Sequence, residues 1–323
     1  MKHRISQIAG DASFRKFYRI IENKKSKIIV FANKEKYKNL IAYSAVNQFL
    51  RDNNILAPKL FKHNFKAGSM LIEDFGNLSF HKVLLKKKNK FSTYKQLINL
   101  LLKIQTIKPK PHIKSIKKKM HLINKYTEKY LHKESDLFLK WYLPTIVNEK
   151  KIPNLKSKIK KILSKIYKKI NFPNSHFVHR DFHVQNLMKI GRKIGVIDSQ
   201  DALIGNPAYD LVSLIDDVRI TTSKKLKQQI LNYYLKRAPG VNKHNAKSFL
   251  KDFNILSVQR NLKIIGIFTR LFIRDKKDEY LKFIPYAWSL LESRMQDPIF
   301  TELKSILELN IKKSIRFRCI TLL

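Results

Sequence analysis

His179-Arg180-Asp181-Phe182-His183-Val184-Gln185-Asn186, with Asp198 twelve residues after its asparagine, is the stretch on which the reading of the whole chain turns. Phe177-Val178 before it, and Leu187-Met188-Lys189-Ile190 and Ile194-Gly195-Val196-Ile197 after it, predict short strands around polar loops. A hairpin made of the last two runs brings its ends together and sets Asn186 beside Asp198. Asp181 lies five positions before Asn186 on the same loop. A carboxylate that can orient a hydroxyl and accept its proton, next to an amide and a carboxylate oxygen for a hard divalent cation, is the equipment that phosphoryl transfer from a nucleotide requires. The plainer reading makes Asp181 and Asn186 the caps of a turn. For His179 the plain and functional readings coincide, as a buried histidine that braces the loop.

Upstream, Lys16-Phe17-Tyr18-Arg19-Ile20-Ile21 and Lys27-Ile28-Ile29-Val30-Phe31 flank the polar turn Glu22-Asn23-Lys24-Lys25, which predicts a hairpin. Leu40, Ile41, Ala45, Phe49 and Leu50 recur at helical spacing until Asp52-Asn53-Asn54 and Pro58 end the element. A second strand pair is expected around Leu60-Phe61 and Ser69-Met70-Leu71-Ile72, with Gly68 in the connection. Beyond Gly76 long helices dominate. Leu155, Ile159, Ile162, Leu163, Ile166, Tyr167 and Ile170 form one apolar stripe with lysines opposite, and further helices are expected over 211–215, 226–235, 249–272 and 280–291. The expected fold class is therefore α+β: a small antiparallel β-rich lobe over 1–75, a larger mostly helical lobe over 76–315, and a tail over 316–323.

With 323 residues, 44% of them hydrophobic, the chain can bury a substantial core. Cys319 is the single cysteine, which excludes an intrachain disulfide framework and a cysteine-based zinc site and fits a reducing cytoplasm. No apolar leader follows Met1-Lys2-His3-Arg4-Ile5-Ser6 and no run of eighteen apolar residues occurs, so a soluble, cytoplasmic protein is expected. The formal charge of +43 would ordinarily point to nucleic acid or an anionic membrane. Here the excess is mostly lysine, accompanied by abundant isoleucine and asparagine and dispersed through helical segments. It reads as a solvated coat, and no nucleic-acid partner is expected. The densest stretch, 103–119, includes Lys108, Lys110, Lys114 and the run Lys117-Lys118-Lys119. The Walker A loop, dinucleotide glycine fingerprint, zinc-protease helix motif and nucleophile elbow are all absent, and eight glycines leave few phosphate-cradling loops.

A His-Arg-Asp triplet, four residues and an asparagine, followed by a strand-terminal aspartate, is the loose form of the protein-kinase catalytic loop. Around it stand Gly10-Asp11-Ala12-Ser13-Phe14-Arg15-Lys16-Phe17-Tyr18-Arg19, Leu71-Ile72-Glu73-Asp74-Phe75-Gly76, and Ile197-Asp198-Ser199-Gln200-Asp201-Ala202 leading to Gly205 and Tyr209-Asp210-Leu211-Val212-Ser213-Leu214. Gln259-Arg260-Asn261-Leu262-Lys263 with Gly266-Ile267-Phe268 completes the set. In these segments the chain resembles the aminoglycoside phosphotransferase and choline-kinase-like superfamily. The resemblance is strongest to bacterial members that phosphorylate the anomeric hydroxyl of N-acetylmuramate and N-acetylglucosamine.

The resemblance implies a two-lobed, protein-kinase-like fold using ATP and Mg²⁺. By it, Asp181 is the catalytic base, Asn186 and Asp198 hold the metal, and the turn Gly10-Asp11-Ala12-Ser13 covers the phosphates through backbone amides. Glu73, Asp74 and Phe75 form the hinge for adenine, His179 and Asp210 brace the loop, and Gln200, Asp201 and Arg260 are candidates on the sugar side. Asp210 reads equally well as a helix-start carboxylate after Pro207. One feature departs from the kinase pattern. Ile28-Ile29-Val30-Phe31-Ala32-Asn33 has no lysine where kinases clamp the α- and β-phosphates, and the helix over 37–50 has no glutamate to pair with one. The anomeric sugar kinases resemble this chain in lacking that lysine, and Arg15, Lys34 and Arg19 stay open as its replacement. The expected function is ATP-dependent phosphorylation of an amino sugar in cell-wall recycling by a cytoplasmic monomer. The alternatives are an aminoglycoside or choline/ethanolamine-type kinase, or a non-catalytic relative using its basic surface on nucleic acid or membrane. A cationic acceptor needs an acidic or aromatic pocket, which a neutral or acidic amino sugar does not.

Overall fold

Apolar residues at every second position of 28–32 and 70–72 give the N-terminal part of the chain a sheet with one buried face. In the computed structural model, which describes residues 4–8, 15–23, 25–32, 37–115 and 120–317, this sheet has five antiparallel strands. They are β1 (Arg4–Ile8), β2 (Lys16–Glu22), β3 (Lys25–Phe31), β4 (Leu60–Asn64) and β5 (Ser69–Glu73), ordered β1-β2-β3-β5-β4. Both expected hairpins form, with Tyr18 opposite Ile29 and Met70 opposite His63. β1 is an addition to the reading. Arg4 to Gln7 are exposed, so this edge strand has almost no buried face to leave a periodic signal. Ile28, Val30, Met70 and Ile72 pack with Phe65 and with Leu40 and Tyr43 of helix α1 (Tyr37–Asp52).

Packing groups the chain into two compact units, 1–125 with 175–204, and 126–174 with 205–323. The expected boundary at residue 75 follows the change along the sequence from short strands to long helices. After the sheet, the first unit continues with α2 (Phe80–Lys86), α3 (Lys90–Gln105) and a short hairpin of β6 (His112–Lys114) and β7 (Met120–Leu122). It then takes up β8 (His176–Val178), β9 (Leu187–Ile190) and β10 (Lys193–Val196). Lys117-Lys118-Lys119 lie outside the described residues. Lys103, Lys108, Lys110 and Lys114 are exposed, as a solvated coat requires.

The second unit is helical among its described residues: α4 (Glu128–Leu137), α5 (Ile152–Tyr167), α6 (Ala208–Ile215), α7 (Lys224–Leu235), α8 (Ala246–Asp275), α9 (Ile284–Arg294), α10 (Thr301–Asn310) and α11 (Lys313–Phe317). The stripe read over 155–170 is the buried face of α5 as far as Tyr167, with Leu155, Ile159, Leu163, Ile166 and Tyr167 covered; Ile162 is half-buried, and Ile170 lies past the helix end. The helix read over 280–291 divides. Residues 278–283 form a tight 3-10 turn, and Pro285, with its preset φ, sits in the first turn of α9. The 30-residue α8, about 45 Å long at 1.5 Å per residue, is buried along most of its length. α4 runs into a π-helical stretch, Phe138–Tyr142, against which Gly266 of α8 packs. A Cβ on Gly266 would stand 2.2 Å from the Leu137 carbonyl carbon, so only glycine allows this approach. Phe138, Tyr142 and Trp288 fill the adjoining core, and the Trp288 indole N–H donates to the Tyr142 hydroxyl at 3.1 Å.

Candidate active site

β9 and β10 pair with Val196 opposite Leu187, so the residues just beyond the ladder meet at its open end. The Ile197 amide donates to the Asn186 carbonyl at 3.0 Å, which brings Asn186 to the strand end that carries Asp198. The Asn186 side-chain amide donates to the Asp181 carbonyl at 3.1 Å and ties the start of the loop to its end. Neighbouring backbone fixes the hairpin from both sides. Val196 donates to the Leu56 carbonyl at 2.8 Å, Lys189 donates to that of Leu78 at 2.8 Å, and His81 donates to that of Val184 at 3.0 Å. Asp181, Asn186 and Asp198 thus belong to one compact unit and are gathered by one hairpin.

Two loop residues have left-handed backbone, Arg180 at φ 72° and Asp198 at φ 66°, a conformation that non-glycine side chains disfavour and that functional sites retain. Asp198 receives the Arg15 guanidinium, Nη2 to Oδ1 at 2.5 Å, while the other Arg15 nitrogen donates to Gln200 Oε1 at 2.9 Å. Gln200 in turn donates to the Asp201 carboxylate at 3.0 Å, and Arg180 donates to the Asp201 carbonyl at 3.1 Å. One polar chain therefore links Asp198, Arg15, Gln200, Asp201 and Arg180. Burial pushes the His179 imidazole below its ordinary value, against the raising influence of Asp181, Asp198 and a hydrogen bond to the Ile197 backbone. A neutral His179 thus meets the strand end next to Asp198.

The face of α1 nearest this site carries Tyr43 and Asn47, one turn apart. Ser199 donates to Asn47 Oδ1 at 2.6 Å, Asn47 donates to the Pro58 carbonyl at 3.2 Å, and the Tyr43 ring lies 5.7 Å from the Arg15 guanidinium. Burial pushes the Tyr43 hydroxyl up to about 12, so it stays a neutral phenol. Among the described residues no group of three or more His, Cys, Asp or Glu gathers as a metal cage. One amide and one carboxylate, the latter 36% exposed, suit a Mg²⁺ that takes most of its oxygens from phosphates and water. The donor set therefore fits the ion.

On the expected nucleotide side, Gly10, Asp11, Ala12, Ser13 and Lys34 lie outside the described residues. Glu73 closes β5. Its amide donates to the Lys59 carbonyl at 2.8 Å, and its carboxylate meets Arg51 at 3.4 Å. Asp74 takes Arg19 in a two-pronged pair, Nε at 2.5 Å and Nη2 at 2.9 Å, and accepts from the Gly76 amide at 2.8 Å. Arg19 also donates to Asn77 at 2.8 Å, so its guanidinium is spent on the segment after β5. The Phe75 ring packs on Gly195, where a Cβ would meet it at 2.6 Å.

Asp210 and Arg260 belong to the second unit. Asp210 is buried in the first turn of α6, and Arg260 of α8 donates to Ser213 at 2.8 Å. In the same unit, Glu134 is buried among Tyr126, Tyr209 at 3.1 Å, Gln259 at 3.0 Å and Lys263 at 3.0 Å, and two of these partners, Tyr209 and Gln259, directly precede Asp210 and Arg260 in sequence. Sequence reasoning quoted Tyr209, Gln259 and Lys263 but not Glu134, the acid they share. It also passed over Tyr43 and Asn47, whose signal is a polar pair at i, i+4 inside an otherwise apolar helix face.

A family model described as phosphotransferase enzyme family matches residues 4–244. A protein of Caulobacter vibrioides named N-acetylmuramate/N-acetylglucosamine kinase is 28% identical over 269 residues, which are 82% of this chain and 73% of that one. A Pseudomonas aeruginosa protein of the same name is 26% identical over 303 residues, 93% of this chain and 86% of that one. Among solved structures, the choline kinase LicA of Streptococcus pneumoniae superposes with a TM-score of 0.62 at 15% identity, covering 90% of this chain and 93% of that one. This likeness establishes the fold as α+β and kinase-like.

Proposed function

The chain belongs to the phosphotransferase enzyme family, and from that premise we propose that it transfers the γ-phosphoryl group of ATP to the anomeric hydroxyl of N-acetylmuramate or N-acetylglucosamine. The observation that supports this most is the 3.0 Å bond from Ile197 to Asn186, which collects Asp181, Asn186 and Asp198 at one hairpin end. The acceptor rests on the shared name of the relatives from Caulobacter vibrioides and Pseudomonas aeruginosa.

In this reading Asp181 orients the sugar hydroxyl and accepts its proton as the new bond to phosphorus forms. Asn186 and Asp198 would hold a Mg²⁺ ion, which when bound would supply positive charge against the phosphoryl oxygens. His179, neutral and buried, keeps the loop in place, and Asp210 is assigned a bracing role. The region 1–75 serves the nucleotide, with Glu73, Asp74 and Phe75 at the adenine and the turn at Gly10 to Ser13 over the phosphates. Gln200, Asp201 and Arg260 are assigned to the acceptor, and a cytoplasmic place in cell-wall recycling goes with such a substrate.

The test is ADP release by the purified protein with Mg-ATP and, in turn, amino sugars, aminoglycosides and choline. Turnover with N-acetylmuramate or N-acetylglucosamine is expected, falling about 10²–10⁴-fold in Asp181→Asn. Turnover only with aminoglycosides or choline would move the acceptor. Undiminished turnover in Asp181→Asn would remove the residue assignment.

A further inference from the structure

The site has a carboxylate for a metal, yet that carboxylate is already held by a cation. Arg15, the residue before β2, is 5% exposed and places one nitrogen 2.5 Å from Asp198 Oδ1 and another 2.9 Å from Gln200 Oε1. Its guanidinium lies 5.4 Å from the Phe17 ring centroid and 5.7 Å from that of Tyr43, so aromatic walls steer it into the site. Arg19 is committed to Asp74 and Asn77. β3 supplies no lysine here, since Ile28 and Val30 fill its inward positions with apolar side chains. α1 offers Tyr43 and Asn47 in place of a carboxylate that could hold a clamping cation away from the metal ligand.

We propose that Arg15 is the phosphate-binding cation of this site, and that it holds Asp198 until a nucleotide arrives. The proposal rests on the kinase reading above and adds a consequence to it. Arg15 and a divalent ion on Asp198 are two positive centres sharing one carboxylate, and they repel each other. A polyphosphate chain relieves that repulsion, because its oxygens take both the ion and the fork of the guanidinium, which matches phosphate geometry. Metal and nucleotide therefore strengthen each other's binding, and by linkage the effect is the same in both directions. Without nucleotide, Arg15 keeps the metal out and neutralises the carboxylate. In kinases with a lysine paired to a helix glutamate, the clamping cation and the metal do not compete for one group.

The test measures binding, with Mn²⁺ alone as the metal probe, read by electron paramagnetic resonance, and with adenosine and Mg-ATP as nucleotide probes, read by calorimetry. Arg15→Met is expected to bind Mn²⁺ alone about 10-fold more tightly than the wild-type chain. It is expected to bind Mg-ATP about 10–100-fold more weakly while holding adenosine unchanged. Arg15→Lys keeps a cation but gives up the fork, so its loss of ATP preference is expected to be smaller and its Mn²⁺ affinity close to wild type. Should Arg15→Met fail to fold, the lysine variant decides alone: an ATP-to-adenosine preference equal to wild type overturns the proposal. So does a Mn²⁺ affinity that does not rise in a folded Arg15→Met. Failure of the wild-type chain to bind Mg-ATP would remove the kinase reading itself, a result separate from wild-type binding that is insensitive to Arg15.

Discussion

Asp74 illustrates how one side chain sets a local structure. Its burial opposes ionisation, but Arg19, the Gly76 amide and Ser26 outweigh that and hold its carboxyl below the ordinary value of 3.8. A carboxyl lowered by folding contributes stability above its unfolded pKa, and that contribution is lost as pH falls through the lower folded value. Arg19→Met is expected to lower stability by about 1.5–3 kcal/mol, the scale for hydrogen bonds to charged groups. It is also expected to weaken adenosine binding, if Asp74 and Phe75 form the adenine hinge. Urea denaturation at pH 7 and calorimetry with adenosine measure the two effects, and a stability unchanged from wild type would contradict the first. At this scale Asp181, Asn186 and Asp198 were legible, because their chemistry needs particular atoms at a fixed spacing along one hairpin. The ion pair of Arg15 with Asp198 was not, since no spacing rule connects residues 183 positions apart. Only its membership among three candidate cations could be read.

Two glycines carry tests at the scale of elements. Gly195 of β10 abuts the Phe75 ring, and Gly195→Val is expected to displace Phe75 and weaken adenosine binding about 10-fold, as calorimetry would show. Gly266 of α8 faces backbone, which cannot yield as a ring edge can. Gly266→Ala is expected to cost about 3 kcal/mol or more, at or beyond the upper end for overpacking, and a thermal unfolding temperature within a degree of wild type would contradict that packing. Elements with a strong buried stripe were legible: α5 through its leucines and isoleucines, and α1 through Leu40, Ala45, Phe49 and Leu50. β1 was not, because its residues are almost all exposed, nor was the hairpin of β6 and β7, whose three-residue strands bury Ile113 alone. The π-helical stretch at 138–142 has no periodic signature of its own; Gly266 was quoted from sequence, but its reason is a contact across two helices.

For the chain as a whole, charge is the property most easily misread. A coat of +43 suggests nucleic acid, yet the excess is mostly lysine, and Lys103, Lys108, Lys110 and Lys114 stand exposed to solvent. If the coat is solvation alone, single-stranded DNA should show no saturable binding at 150 mM salt. Saturable binding that falls steeply with salt would favour a functional basic surface. In the interior one carboxylate is held by two cations. Asp216 is fully buried with Lys227 at 2.7 Å, Arg294 at 2.9 Å and Ser257 at 2.7 Å. Burial alone would raise its pKa, but the two cations hold it far below the usual carboxylate range. Its contribution to stability is therefore complete above pH ~4 and is lost only as pH falls from there towards the folded value. Asp216→Asn is expected to cost about 3–5 kcal/mol at pH 7 and to flatten the acid limb of the stability curve. Denaturation at pH 3 and pH 7 measures both, and an equal loss at the two values would contradict the pairing. The central claim, transfer to an anomeric hydroxyl, is tested most directly by phosphorus NMR of the product formed from Mg-ATP and N-acetylmuramate. The expected result is a phosphomonoester resonance coupled to the anomeric proton, appearing with ADP and absent with Asp181→Asn. ADP formed without a sugar phosphate, or phosphate attached at another hydroxyl, would contradict it.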